Sequence, residues 1–338
     1  MRHNLGMSSV ANVTIHASQF PENVRRDLLE SLRAREVNHK FHYDSVKQTQ
    51  KWLALHQAYS PSRTDADCTA IYEHSFESVA KRFDAKRVHL IGLGCGGGQK
   101  DTRLLRLLKQ SGKEIFYTPS DVSTAMVLVA RGVAMEIVPE ENCFPLVCDL
   151  ALAGDLPQVI QKLSVPHGAR IITFFGMIPN FEPEMILPKL SALLRSEDLL
   201  LFSANLAPGS NYDAGLRKIL PLYDNALTRD WLMTFLIDLG VQADDGEISF
   251  RIEDDRTVAG LKRISAYFHF RRDRELSIED QRFQFGAGKT IRLFFSYRHT
   301  PKLIEFLLRK HGIKVMDKWI AKSEEEGVFL CQRKEGAV

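Results

Sequence analysis

The sequence predicts an α/β protein built on a doubly wound, mostly parallel sheet, with an α+β segment inserted into its C-terminal half. Three observations predict it. Short apolar runs alternate with helical patterns between residues 87 and 204, as βαβ units require. The first of these runs ends in a glycine-rich turn, Gly94-Cys-Gly-Gly-Gly98. Between residues 247 and 298 the alternation gives way to strands joined by turns.

Arg87-Val-His-Leu-Ile-Gly-Leu93 is short, apolar and β-branched, the composition of a strand buried on both faces. Lys100 to Gln110 then places Leu104, Leu105, Leu107 and Leu108 on one helical face. Glu114 to Asp121 reads as the second strand, and Ser123 as the N-cap of a helix through Arg131. Leu146-Val-Cys-Asp149 ends a third strand; Arg170 to Gly176, a helix from Glu184 to Arg195, and Leu199 to Ala204 continue the pattern. The insertion supplies strands at Ile248–Ile252, Ile264–Phe270 and Thr290–Arg298. Arg271-Arg-Asp-Arg-Glu275 reads as a solvated hairpin tip rather than a phosphate site. Pro301 to His311 is a helix ended by Gly312; strands near Lys314–Ile320 and Val328–Gln332 flank an acidic turn, Glu324-Glu-Glu-Gly327. Residues 61–245 and 299–338 form the expected core, and residues 1–60 and 246–298 a second, lid-like unit.

The chain has 338 residues, 44% hydrophobic and 26% charged, which excludes disordered and fibrous classes. Forty-five Lys and Arg against 42 Asp and Glu give +3, too little to imply a nucleic-acid partner. No apolar run reaches the length of a membrane span, and Met1–Gln19 lacks the apolar stretch of a secretory signal. Cys68, Cys95, Cys143, Cys148 and Cys331 contain no Cys-x-x-Cys pair, so neither a disulfide framework nor a metal site is expected. Reduced thiols in a cytoplasm fit these residues, and the expected partner is a small molecule. The oligomeric state is left open.

The chemistry concentrates at the carboxyl ends of the early strands. Glycines after the first strand let backbone approach a ligand closely. Their spacing, Gly-x-Gly-Gly-Gly without a properly placed third glycine and with Lys100 following, suits a nucleoside without phosphates better than a dinucleotide. Asp121 lies 27 residues after Gly94, near the interval of a ribose-binding acid; capping the next helix is its other role. Asp149 is placed either to accept from an adenine amino group or simply to start a loop. Phe174-Phe-Gly176 closes the fourth strand beside the same crevice.

Leu93-Gly-Cys-Gly-Gly-Gly-Gln-Lys100, Pro119-Ser-Asp-Val-Ser123, Phe174-Phe-Gly176 and Leu222-Tyr-Asp-Asn225 together resemble the histidine Nα-methyltransferase family of ergothioneine synthesis. That family also contains fungal enzymes acting on a prenylated tryptophan. Lys40-Phe-His-Tyr-Asp44, Tyr59-Ser-Pro-Ser-Arg63 and Gly288 to Ser296 extend the resemblance over nearly the whole chain. It implies a Rossmann-like methyltransferase core binding S-adenosylmethionine through Gly94, Cys95, Gly96, Lys100, Asp121 and Asp149, with Leu150, Phe175 and Gly176 beside them. It also implies that the second unit covers an amino-acid acceptor, and that Tyr43 and Tyr59 touch that acceptor and serve catalysis. Both tyrosines also suit a plain half-buried role.

This chain departs from the family on the acceptor side. Ser296 matches a family serine, but the glutamate that pairs with the substrate imidazole is replaced by Phe294. A pocket without that polar partner rejects histidine by orders of magnitude. The family's backbone-gripping asparagine aligns with Leu232, with Asn225 and Asn205 nearby. An acceptor with an apolar or aromatic side group fits Phe294, Phe295, Phe268 and Tyr267 better, although these are equally suited to a core. The resulting expectation is N-methylation of an amino-acid-like small molecule other than free histidine. Methylation of a non-amino-acid acceptor, a nicotinamide-dependent oxidoreductase and a catalytically silent cofactor binder are the rivals.

Overall fold

The computed structural model describes residues 10–82, 84–164 and 168–334. Its strands are β1 (Thr14–Ile15), β2 (Arg87–Leu93), β3 (Glu114–Asp121), β4 (Leu146–Val147), β5 (Ala169–Phe174), β6 (Leu199–Asn205) and β7 (Gly246–Asp254). They continue with β8 (Lys262–Phe270), β9 (Arg274–Ile278), β10 (Gln281–Phe285), β11 (Thr290–Arg298), β12 (Ile313–Ile320) and β13 (Glu326–Arg333).

Eight strands form one sheet in the order β1-β4-β3-β2-β5-β6-β13-β12. β1 through β6 run parallel, while β13 pairs antiparallel with both β6 and β12. The doubly wound core therefore stands. β2 is buried from Val88 onward because the sheet is covered on both faces. Val88 and Leu90 enter a cluster with Leu104, Leu105 and Leu108 of the helix Gln99–Gln110. Ile91 and Leu93 enter the cluster on the opposite face, with Phe174, Phe202 and Leu187. The chain winds outward from β2 through β3 and β4, then returns to β5 on the other side of β2. That reversal opens a crevice at the carboxyl ends of β2 and β5, where sheets of this kind bind ligands.

A second sheet, β11-β8-β7, is antiparallel, and β9 and β10 form a separate ribbon. Together they bury a third cluster: Phe268, Phe270, Phe285 and Leu293 pack with Leu32 of the helix Pro21–Ala34 and with Trp231, Leu232 and Phe235 of the helix Ala226–Asp238. Two segments cross the expected division. The helix Ala226–Asp238 packs with the inserted sheet, and β1, from the N-terminal segment, pairs with β4 at the edge of the core sheet.

Two local expectations are corrected. Residues 271–273 connect β8 to β9, which do not pair with each other, so the charged stretch is a link between two sheets rather than a hairpin tip; Arg272 and, in β9, Arg274 pair with the buried Asp245. Glu326 does not belong to the acidic turn. It opens β13, is buried, and accepts the Tyr72 hydroxyl.

Candidate active site

The glycine loop follows β2, with Gly94, Gly96 and Gly98 all at positive φ. At Gly98 (φ +73°) a Cβ would lie 2.8 Å from Ala130 Cα, so both backbone conformation and close helix approach require glycine. Gly98→Ala is expected to lower stability by at least about 1–2 kcal/mol from the left-handed conformation alone. A thermal melt reads the loss, and an unchanged midpoint would contradict this packing.

Asp121 at the end of β3 fastens the loop. Its Oδ2 accepts the Gly96 N–H at 3.0 Å, and its Oδ1 accepts the Ser123 N–H at 3.0 Å. Ser123 is the N-cap of the helix Thr124–Ala134, which leaves Asp121 clear of the capping role. Burial raises the Asp121 carboxyl against the backbone N–H groups that favour its ionised form. Each carboxylate oxygen keeps a lone pair for a further donor, such as a ribose hydroxyl.

Asp149 follows β4. Its Oδ1 accepts the Ala151 N–H at 2.9 Å, while its buried Oδ2 has no hydrogen-bond partner among the described residues. An orphaned buried acceptor at this place suits an amino N–H of a bound base. Leu150, next in the chain, is buried in the core cluster on this face of the sheet. Lys100 donates to Tyr72 OH at 2.7 Å and stands 3.6 Å from Glu326, leaving ammonium hydrogens for an anionic group. Phe175 packs edge-on to Tyr72, and the Gly176 N–H donates to Ser203 Oγ at 2.8 Å. Cys95 stays a thiol, pushed up by burial and then by Asp121 and Asp101.

Sequence reasoning missed Asp101. It is buried beneath the loop, accepting Thr173 Oγ1 and Tyr117 OH, each at 2.8 Å, and burial pushes it up to about 6. A Cβ on Gly92 would lie 2.0 Å from Asp101 Oδ2. Gly92 inside a buried strand was the available signal for that close approach.

Facing the loop is a wall of aromatic rings. Trp52, on the helix Val46–Tyr59, lies 3.5 Å from where a Gly96 Cβ would sit. Tyr43 meets Trp52 and Trp231 at 5.9 and 5.6 Å between ring centroids, and Trp231 meets Phe294 edge-on at 5.6 Å. Burial and the Asp121 charge push the Tyr43 hydroxyl upward, so it remains a phenol. Ser296 Oγ and Tyr223 OH share a 2.7 Å hydrogen bond, and Arg298 Nε donates to the same phenol at 3.0 Å. His39 packs on Phe294 and Phe295, with neither ring nitrogen hydrogen-bonded among the described residues. Trp52, Trp231 and His39 carried no pattern that the sequence alone singles out, and Tyr223 entered only as part of the Leu222–Asn225 stretch, with no role of its own.

Three candidate residues stand apart from this wall. Tyr59 ends its helix 44% exposed and makes no ring contact with the cluster. Tyr267 lies on the other face of β8 from Phe268, donating to Glu253 at 2.8 Å. Asn225 caps the helix Ala226–Asp238: its Oδ1 accepts Thr228 N–H, and its amide donates to Leu222 O and Thr228 Oγ1. Both amide hydrogens of Asn225 are used at the cap, and Leu232 is fully buried core.

The five cysteines are free thiols, and no described helix is long and apolar enough to cross a membrane. Residues 24–333 match the model of the histidine-specific, S-adenosylmethionine-dependent methyltransferases. The N-methyltransferase imqF of Aspergillus flavus is 24% identical over 278 residues, which cover 80% of this chain and 73% of imqF. Among solved structures, the magnesium protoporphyrin IX methyltransferase of Synechocystis PCC 6803 is similar at 15% identity and a TM-score of 0.44, covering 87% of this chain and 98% of that one. The glycopeptide N-methyltransferase MtfA is similar at 13% identity and a TM-score of 0.38, covering 78% and 94%. With its glycine loop, paired acids and a family match over nearly its full length, the chain belongs to the histidine-specific methyltransferases and is an S-adenosylmethionine-dependent methyltransferase.

Proposed function

We infer that the protein N-methylates an amino-acid-like small molecule other than free histidine. One observation carries this reading: the Tyr43 phenol, with no hydrogen-bond partner among the described residues, lies against the aromatic wall and within the field of the Asp121 charge. It lies where the nucleoside side of the crevice meets an apolar acceptor side. The imqF relative, an N-methyltransferase by name, supports transfer to nitrogen.

The residues present fit the cofactor. Asp121 would take the ribose hydroxyls, Asp149 Oδ2 the adenine amino group, and Lys100 the carboxylate of the methionine part. When bound, S-adenosylmethionine supplies an electrophilic methyl group on a sulfonium. The protein's work is then alignment and exclusion of water, which hold the reacting atoms together and remove much of the entropic barrier. The Tyr43 hydroxyl oxygen accepts an N–H of the neutral acceptor amine, leaving the nitrogen lone pair free for the methyl group, and the proton released on transfer passes to water. The rings of Trp52, Trp231 and Phe294 keep water out and favour an apolar or aromatic acceptor. Phe294 offers an imidazole no acceptor for its N–H, which disfavours histidine.

A screen of amino acids and small amines, read by S-adenosylhomocysteine release, tests the reading. Turnover is expected with an amine bearing an apolar or aromatic side group and not with histidine. Histidine as the preferred acceptor, or turnover confined to hydroxyl compounds, would contradict it.

A further inference from the structure

A buried charged triad beside the crevice has no part in the reading so far. Lys40 lies in the 3-10 turn His39–His42. Its ammonium donates to Asp27, on the helix Pro21–Ala34, and stands 3.6 Å from Asp149 Oδ2. The three side chains are only 4%, 5% and 7% exposed. Two buried carboxylates face one buried ammonium, and the half-exposed Arg26 reaches Asp27 from outside. Burying such charges is costly unless they are paired and hydrogen-bonded. Lys40 gives its hydrogen bond to Asp27 and only its field to Asp149, so Asp149 Oδ2 remains open as an acceptor. The N-terminal segment holds this acid a second time, because Ser18 Oγ accepts the Asp149 N–H at 3.0 Å.

We propose that Lys40 is a positioning residue of the cofactor site, holding Asp149 ionised so that Oδ2 accepts the adenine amino group. This rests on the role given to Asp149 above. An amino group donates to a carboxylate, whereas a protonated carboxyl presents a competing donor. Burial raises the Asp149 carboxyl, Lys40 opposes that rise, and Asp27 adds to it. The other charged groups around the triad are Arg26 on Asp27 and Asp44 beside Lys40. The His16–Asp155 pair, Lys189, which donates to the Ala151 carbonyl, and the adjacent Cys148, held a thiol by burial and by Asp149, are the others near Asp149. None of them replaces Lys40 at Asp149 Oδ2. Cofactor binding therefore depends on the N-terminal segment as well as on the core sheet.

Calorimetric titration with S-adenosylhomocysteine from pH 4 to 8.5 tests this, with melting curves at each pH to confirm folding. Lys40→Met is expected to weaken binding roughly tenfold or more. It should also move the pH at which affinity falls upward by about 1 unit or more. Asp27→Asn should move that pH downward, because Lys40 then serves Asp149 alone; Lys40→Arg should preserve it. On an Asp149→Asn background, Lys40→Met should add no further loss. Should Lys40→Met fail to fold, Asp27→Asn, which removes the carboxylate that competes for Lys40, decides the matter. Asp149→Asn binding weakly while the Lys40 and Asp27 variants bind as wild type, or an additive double variant, would overturn the role of Lys40 alone. Wild-type binding by Asp149→Asn would overturn the role of Asp149, and this proposal with it.

Discussion

Asp121→Ala is expected to lower affinity for S-adenosylhomocysteine roughly 100-fold or more. Two losses combine. The ribose loses a charge-assisted acceptor, and each hydrogen bond of that kind contributes about 1.5–3 kcal/mol. The Gly96 N–H, held at 3.0 Å by Asp121 Oδ2, also loses the acceptor that sets the loop. Asp121→Asn should be nearly as damaging. Both carboxylate oxygens accept backbone N–H groups, from Gly96 and Ser123, so an amide must turn its own NH2 toward one of them. A calorimetric affinity within threefold of wild type for either variant would remove Asp121 from the cofactor site.

Tyr43→Phe is expected to separate turnover from cofactor binding. The substitution keeps the ring between Trp52 and Trp231, preserving the packing. It removes a hydroxyl that has no hydrogen-bond partner among the described residues and is kept protonated by burial and by Asp121. A polar group left free at such a place is available to the acceptor. Losing the contact that orients the nucleophile should lower kcat/KM roughly 100-fold, with affinity for S-adenosylhomocysteine close to unchanged. Steady-state rates with an acceptor from the amine screen measure the first quantity, and calorimetry the second. Unaltered turnover would assign the acceptor contact to another residue on the wall.

The parts of the fold that were legible are those where one local signal sufficed. β2, β3 and β11 have the bounds read from the sequence, because each is an apolar or aromatic run closed by a turn signal. β9 and β10 were hidden. Leu276 pairs with Phe283, but both strands are rich in charged and amide side chains, and their Glu279-Asp280 turn lacks the glycine or asparagine that marks a tight hairpin. Glu279 takes a positive φ of 52° all the same.

The site divides in the same way. Glycine loop, Asp121 and Asp149 follow from position at strand ends. Asp101 serves three strands at once through Gly92, Tyr117 and Thr173, a relation that exists only after the sheet has formed. The aromatic wall draws Tyr43, Trp52, Trp231 and Phe294 from segments up to 251 residues apart, and no period in the chain connects them. Asn225 was read from the sequence as an acceptor-side residue; its three hydrogen bonds at the helix start, which make it an N-cap, exist only in the folded chain.

A crystal structure with S-adenosylhomocysteine bound tests the central claim most directly. The account predicts ribose hydroxyls on Asp121, the adenine amino group on Asp149 Oδ2, and the sulfur facing Tyr43. A nucleoside seated elsewhere, or a sulfur turned away from the ring wall, would contradict it.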